Sequence, residues 1–208
     1  MIHLVRIPLF VTLAIDPAIT DESWSDATGI TINGESKDSV WYTLKADGFK
    51  GQPSDVIDRA VYYTLRYKPR VVSCEQIAAQ RLYLPMLREA FDKYGIVNCS
   101  IVGFKYSTRL SKHARISALQ PRLKQGKWFF KKGECQPLIT QMLRYPETGD
   151  EDDLLDAMTH HLQTSRPLRE YELGQTVEID LDEDEEDGET KQRLDGTWVG
   201  RGGSRYAA

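Results

Sequence analysis

Residues 9–16, LFVTLAID, form a nearly continuous apolar stretch that ends in a carboxylate. Stretches of this kind are typical of strands that are buried on both faces of a sheet. Asp16 is followed by Pro17, so we expect the chain to turn as the carboxylate leaves the sheet. The sequence therefore predicts a central strand at residues 9–16 with Asp16 at its end.

The segments that follow alternate between strand and helix patterns. Further strands are predicted at residues 28–34, 39–49, 70–75 and 97–104. Helices are predicted at residues 53–69, 78–95, 136–146 and 150–163, and a basic helix followed by an aromatic strand or hairpin at 111–134. Asn33-Gly34 is expected to form a tight turn between two strands, and Pro85 to kink its helix. This order predicts an α/β fold in which helices flank a mixed sheet.

Charge divides the chain into a basic body and an acidic segment. The formal net charge of the 208 residues is −4, but residues 178–189, EIDLDEDEEDGE, hold nine acidic and no basic residues. Without that segment 27 basic residues face 22 acidic ones, a net charge of +5. A basic body is compatible with a nucleic-acid partner. We predict one domain at residues 1–165, and an acidic, then glycine-rich tail at 166–208 that is flexible and largely disordered.

Cysteine spacing and hydropathy exclude several classes of protein. Cys74, Cys99 and Cys135 are odd in number and far apart, which argues against a disulfide framework or a zinc site. This pattern fits a reducing compartment, so we expect a cytoplasmic protein. No apolar run approaches the ~20 residues of a membrane-spanning helix, and no membrane partner is expected.

Acidic residues stand at three positions that such a sheet would bring together. Asp16 and Glu75 each end a predicted strand, and Asp153 opens the last predicted helix with Asp152 and Asp156 on the same face. Each position also has an ordinary structural explanation. Asp16 could form an Asx-turn, Glu75 could be a solvated strand end, and the aspartate cluster could be a helix start with Asp150 as N-cap. Carboxylates grouped in this way suit Mg²⁺ or Mn²⁺. Two such ions about 4 Å apart can activate a water molecule and stabilise the leaving oxygen in phosphodiester hydrolysis.

The ordered set of motifs resembles the nuclease domain of phage terminase large subunits. The matching segments are LAIDPA (Asp16), DATGITI (Asp26), RVVSCEQIAAQRLYLPML (Glu75), SKHARISALQPRLKQGKWFF and RYPETGDEDDLLDAMTHHL, whose DDLLDA is similar to a DDxxDA signature. The resemblance covers about residues 9–163. It implies a ribonuclease H-like fold related to crossover-junction resolvases. It also implies a triad of Asp16, Glu75 and Asp153 that binds two Mg²⁺ or Mn²⁺ ions, with Asp152 and Asp156 as further ligands and Asp26 as an outer-shell residue.

The resemblance implies an endonuclease that cuts concatemeric double-stranded phage DNA in the host cytoplasm during genome packaging. The partners would be a packaging ATPase domain, the small terminase and the portal. The chain has no G-x-x-x-x-G-K-[ST] loop, so we expect either an excised nuclease domain or a gene separate from its motor. Two alternatives stay open: a Holliday-junction-type resolvase, and a DNA-binding or docking module without catalysis.

A basic stretch with aromatic residues inside it, at residues 105–132, is the candidate DNA-binding surface. The alternative is a solvated helix face beside an aromatic core strand. The residues expected to contact DNA are Lys105, Arg109, Lys112, Arg115 and Lys127. Lys112 and Arg115 come first, because SKHAR matches a family segment near the active site. His160 and His161 are expected to stabilise a helix C-terminus, and His160 is also a candidate outer-shell residue.

Overall fold

The computed structural model describes residues 3–17, 27–75, 82–106, 110–146, 152–170, 172, 174–181, 193–194 and 198–199. The strands are β1 His3–Asp16, β2 Thr28–Glu35, β3 Trp41–Phe49, β4 Val71–Glu75, β5 Ser100–Phe104, β6 Trp128–Lys131, β7 Gln175–Leu181, β8 Arg193–Leu194 and β9 Trp198–Val199. The helices are α1 Pro53–Tyr67, α2 Tyr83–Lys93, α3 Lys112–Ser117, α4 Gln120–Lys124, α5 Gln136–Arg144 and α6 Asp153–Thr164. None of these helices combines the length and the apolarity needed to cross a bilayer.

The strands form one mixed sheet with β1 near its centre. Their order is β5-β4-β1-β2-β3-β6-β9-β8, and β7 pairs with the first half of β1. β1 runs antiparallel to β2 and parallel to β4, which is itself parallel to β5. Helices α1 and α2 cover one face, where they pack on Leu13 and Ile15. Helix α6 packs on the other face with Trp41 and Trp128. The predicted α/β fold is therefore confirmed.

The hairpin between β2 and β3 differs from the prediction. Asn33 and Gly34 lie inside β2, where they pair with Thr43 and Tyr42, so the tight turn predicted there is wrong. The chain reverses at residues 36–40 instead, where Ser39 adopts a left-handed φ of 59°. Packing explains why residue 34 is a glycine, because a Cβ there would lie 2.6 Å from Leu9 Cδ1. A glycine in a strand can thus mark a close contact rather than a turn.

Three predicted helices begin or break elsewhere. The second is described from Tyr83, and residues 78–81 of the predicted helix lie outside the described residues. Pro85 lies in the first turn of α2, where a proline is tolerated. The basic helix is two short helices, α3 and α4, with Pro121 near the start of the second. Helix α6 begins at Asp153, and Asp150, the predicted N-cap, lies outside the described residues.

The aromatic strand predicted within residues 111–134 is β6. Trp128 and Phe130 point into the core beside α6, and Phe129 stacks on Tyr42 on the opposite face with 5.5 Å between ring centroids. These aromatic side chains therefore belong to the core, as the alternative reading of this stretch held.

The tail contributes to the sheet. Residues 175–181 were expected to be largely disordered, but they form β7, which pairs antiparallel with His3–Leu9 over seven residue pairs. Their polar composition does not prevent pairing, because backbone groups supply the ladder and β1 supplies the partner. The acidic run that follows, residues 182–192, lies outside the described residues, and the predicted boundary at residue 165 stays a prediction.

Candidate active site

Two carboxylates meet at the ends of neighbouring parallel strands. The register of β1 and β4 pairs Ile15 with Cys74, so the next residues, Asp16 and Glu75, end the two strands side by side. Side chains alternate between the two faces of a strand. Ser73, two residues before Glu75, contacts α6 through His160, so Glu75 points to the α6 face as well. There the side chains of Asp16 and Glu75 share a hydrogen bond.

A glycine lets α6 approach this pair. Gly29 of β2 is the register partner of Asp16. A Cβ at Gly29 would lie 2.5 Å from the carbonyl oxygen of Asp153, a distance that real Cβ atoms do not reach. The absence of a side chain there allows the first turn of α6 to rest directly on β2. Sequence reasoning missed Gly29, although an isolated glycine within a strand pattern is a known sign of close backbone approach.

The acidic side chain at the N-cap of α6 does not cap the helix. Asp152 occupies the N-cap position, but its carboxylate makes no capping hydrogen bond. The Leu154 N–H instead donates to Oε1 of Gln141 on α5, at 3.1 Å. The Asp152 carboxylate therefore does not bond the unpaired N–H groups of its own helix, which would ordinarily attract it.

Burial, together with neighbouring carboxylates, raises two carboxyl pKa values. Burial raises the pKa of Asp16 well above its ordinary value, and the hydrogen bond and charge of Glu75 raise it further, with smaller contributions from Asp156 and Asp153. Burial and then the charge of Asp152 raise the pKa of Asp153 to about 6. Three elements, β1, β4 and α6, therefore bring carboxyl groups close enough to interact.

Two cations from α3 neutralise the rest of the cluster. Lys112 Nζ lies 2.5 Å from Asp152 Oδ1 and 2.8 Å from Asp156 Oδ2. Arg115 Nη2 lies 3.1 Å from Asp156 Oδ1. Burial lowers the pKa of Lys112, but its hydrogen bonds to the two aspartates outweigh that effect and raise it above its ordinary value. Lys112 and Arg115, the first-ranked DNA contacts, are thus engaged with the acidic cluster.

The other predicted DNA contacts lie in different places. Lys105 is exposed and follows Phe104, the register partner of Glu75, so it stands at the edge of the sheet that carries the carboxylates. Lys127 is also exposed but precedes β6 at the opposite end of the sheet, because Trp128 pairs with Trp41. Seven residues of β2 separate the two ends, about 20 Å. Arg109 and the outer-shell candidate Asp26 lie outside the described residues.

The two histidines of α6 are buried in the core. Burial lowers the pKa of His160 and of His161 to about 3, so both rings are neutral at physiological pH. A neutral ring does not stabilise the negative end of a helix dipole, so the role expected for this pair is wrong. His160 hydrogen-bonds Ser73 of β4, and His161 bridges β1 and β2 through Thr12 and Thr31.

The chemistry of the donor set suits a hard divalent cation, although its described side chains are not arranged as a complete metal site. Across the described ranges, no three His, Cys, Asp or Glu side chains are placed so as to hold a metal ion. Two touching carboxyl groups nonetheless require a proton or a cation between them, and Asp153 is close enough to raise the pKa of Asp16. Carboxylate oxygens without nitrogen or sulfur ligands are typical of Mg²⁺ and Mn²⁺ sites.

Comparisons with known proteins agree with this fold. The family model described as "Terminase RNaseH-like domain" matches residues 13–164. Among solved structures, a mutant nuclease domain of the large terminase subunit gp2 of bacterial virus Sf6, with manganese and beta-thujaplicinol, is 13% identical with a TM-score of 0.50. That likeness covers 72% of this chain and 86% of the other. At this identity it shows the fold alone.

Two resolvase structures also match. The fowlpox virus Holliday junction resolvase is 12% identical with a TM-score of 0.48, over 74% of this chain and 97% of that one. Thermus thermophilus RuvC in complex with a Holliday junction is 14% identical with a TM-score of 0.38, over 76% and 99%. No curated protein matches the chain. The fold is ribonuclease H-like, as the sequence motifs implied, and the family match spans most of the chain: it belongs to the family of terminase RNaseH-like domains.

Proposed function

We propose that the chain is a metal-dependent endonuclease that cuts double-stranded DNA, and that its substrate is concatemeric phage DNA during genome packaging. One observation carries the proposal. Asp16 and Glu75 end adjacent parallel strands in hydrogen-bond contact, and the start of α6 lies against the same strand ends. Carboxylates from two strands and a helix are what a phosphodiester hydrolase of this fold needs to hold divalent ions.

In this proposal Asp16, Glu75 and Asp153 are the residues that hold the metal. Two Mg²⁺ or Mn²⁺ ions bound there would activate a water molecule and stabilise the leaving oxygen of the phosphodiester. Asp16 and Asp153 must first lose their protons, since both pKa values are raised. Asp152 and Asp156 would become ligands only if Lys112 and Arg115 released them.

Lys112 and Arg115 of α3 are proposed to act on the DNA as well as on the acidic cluster. Lys112 and Arg115 fix Asp152 and Asp156 and place positive charge beside the carboxylates, where a phosphate of the DNA would lie. Lys105 is exposed at the same sheet edge and is proposed to contact the DNA backbone directly. Lys127 would contact the same DNA only if the duplex extended along the sheet to its opposite end.

Family membership supports the proposed setting. A nuclease of this family would act in the host cytoplasm with a packaging ATPase domain, the small terminase and the portal. The resemblance supplies these partners, and no described contact bears on them. A Holliday-junction resolvase is the alternative that shares the fold, and its substrate separates the two.

Plasmid cleavage tests the proposal. Wild-type protein with Mn²⁺ or Mg²⁺ is expected to convert supercoiled plasmid to nicked and linear forms, and Asp16→Asn to abolish the conversion. Asp58→Asn is the control, because Asp58 is an exposed carboxylate on α1, the helix on the other face of the sheet. Intact plasmid at high enzyme, or undiminished cutting by the Asp16 variant, would refute the proposal. A marked preference for four-way junctions over linear duplex would favour the resolvase.

A further inference from the structure

We propose that the adjacent buried histidines of α6, His160 and His161, are positioning residues that fix α6 on the three strands beneath it and so set Asp153 against Asp16 and Glu75. This histidine pair touches neither the carboxylates nor the solvent. The inference rests on the proposed nuclease site, and it adds the device that holds the two halves of that site together.

His161 joins α6 to β1 and β2 at once. Its Nδ1 lies 2.7 Å from Thr12 Oγ1, and its Nε2 lies 3.0 Å from Thr31 Oγ1. Thr12 is in the strand that ends at Asp16, and Thr31 is two residues from Gly29, on which the start of α6 rests. A neutral imidazole donates from one nitrogen and accepts at the other, so a single ring can satisfy both hydroxyl groups.

His160 joins the same helix to β4. Its Nδ1 lies 3.3 Å from Ser73 Oγ, two residues before Glu75. Its ring stacks on Phe104, the register partner of Glu75, with 4.5 Å between centroids and planes 17° apart. Because consecutive residues of a helix point about 100° apart, two adjacent histidines can reach strands on either side of β1.

The three strand contacts together constrain α6 more than a packed apolar face would. An apolar face resists separation but tolerates small sliding and rotation, whereas hydrogen bonds to three strands are lost when the helix shifts by a fraction of an ångström. Asp156 and Asp153 precede His160 by about one and two helical turns. Their placement over Asp16 and Glu75 therefore follows from the placement of the histidine pair.

Neither ring is suited to a direct chemical role. Both side chains have 0% exposure, and burial keeps both neutral. His160 Nε2 has no hydrogen-bond partner among the described residues and is itself buried. A group enclosed in this way cannot exchange protons with a substrate, so a positioning role is the one that its contacts support.

The test separates positioning from stability. His161→Leu removes both contacts with threonine hydroxyl groups, whereas His161→Gln keeps a hydrogen-bond donor and an acceptor. Met158→Ala is the control for a loss of stability, since Met158 is a buried residue of α6 that packs in an apolar cluster. The first readout is the crystal structure of each metal-free variant, compared with the wild type at the start of α6. Relative to the ends of β1 and β4, the Asp153 backbone is expected to be displaced in His161→Leu and to keep its position in His161→Gln and Met158→Ala.

The second readout is Mn²⁺ affinity by titration calorimetry together with kcat for plasmid cleavage. His161→Leu is expected to lose on the order of 10²-fold in kcat, the effect of a misplacement of about 1 Å, while Met158→Ala loses less than about threefold. If His161→Leu does not fold, His161→Gln decides through the same structural comparison. If wild-type protein neither binds Mn²⁺ nor cuts DNA, the proposed function fails, and the position of Asp153 in the variants still tests the inference. An Asp153 backbone that keeps its position in His161→Leu, or that is equally displaced in Met158→Ala, overturns the inference.

Discussion

Gly29→Ala is expected to damage the site without touching any carboxylate. The new methyl group would stand 2.5 Å from the carbonyl oxygen of Asp153, 2.7 Å from its carbonyl carbon and 3.1 Å from the amide nitrogen of Leu154. All three are backbone atoms of the first turn of α6, so no side-chain rotation can relieve the contact. Restoring an ordinary separation of about 3.4 Å requires the helix start to move by roughly 0.9 Å.

The cost of that movement can be estimated from general experience. Overpacking of a folded core costs about 1–3 kcal/mol in free energy of unfolding, which lowers Tm by roughly 2–4 °C per kcal/mol for a chain of this size. A displacement near 1 Å at a catalytic group reduces turnover by about 10²-fold. We therefore expect Gly29→Ala to remain folded at 25 °C, with cleavage reduced far more than stability.

Gly48→Ala is the matched control. Gly48 is the register partner of Gly29 in β3 and lies beneath the same helix end, but its Cβ would meet only the Leu154 side chain, at 3.5 Å. Thermal unfolding and Mn²⁺-dependent plasmid cleavage should be measured on both variants. Cleavage by Gly29→Ala within about twofold of Gly48→Ala would refute the argument that Gly29 sets the position of Asp153.

Three further outcomes are expected. Mn²⁺ affinity measured by calorimetry should fall as pH drops through 6, because Asp153, whose pKa is raised to about 6, must be deprotonated to bind a cation. In Lys112→Met the same fall in affinity should occur at higher pH, since Lys112 lowers the pKa of Asp153. A constant affinity between pH 5 and 7.5 would contradict this. Gln141→Leu, which removes the acceptor for the Leu154 N–H, should cost about 0.5–2 kcal/mol in urea unfolding. A chain that ends before β7 should unfold at lower temperature than one that ends after it, and equal unfolding temperatures would deny β7 a structural role.

Features set by local composition could be predicted from the sequence. An apolar run that ends in a carboxylate indicates where a strand stops, and this placed Asp16 and Glu75 at the ends of β1 and β4. The acidic start of α6 was located within a few residues for the same reason. In an open α/β sheet, strand ends of this kind meet at one edge, so the grouping followed once the element order was known.

Features set by distant partners could not be predicted. Gly29 and Gly34 are strand glycines that allow close contacts with α6 and with Leu9. A glycine within a strand pattern indicates a close approach, but the sequence does not indicate which distant segment approaches it. The cation that the clustered aspartates require was expected to be a metal, but Lys112 from another helix already pairs with two of them. His161 was expected to stabilise a helix C-terminus, and its role in joining α6 to two strands depends on Thr12 and Thr31, which are distant in sequence.

The central claim is that Asp16, Glu75 and Asp153 hold shared divalent ions. The most direct test is a crystal structure of the protein soaked in Mn²⁺, with anomalous diffraction data to locate manganese. The account predicts anomalous density in contact with all three carboxylates, and its loss in Asp16→Asn crystals. A well-ordered wild-type site that holds no manganese at millimolar Mn²⁺, or manganese bound without Asp16, would contradict it.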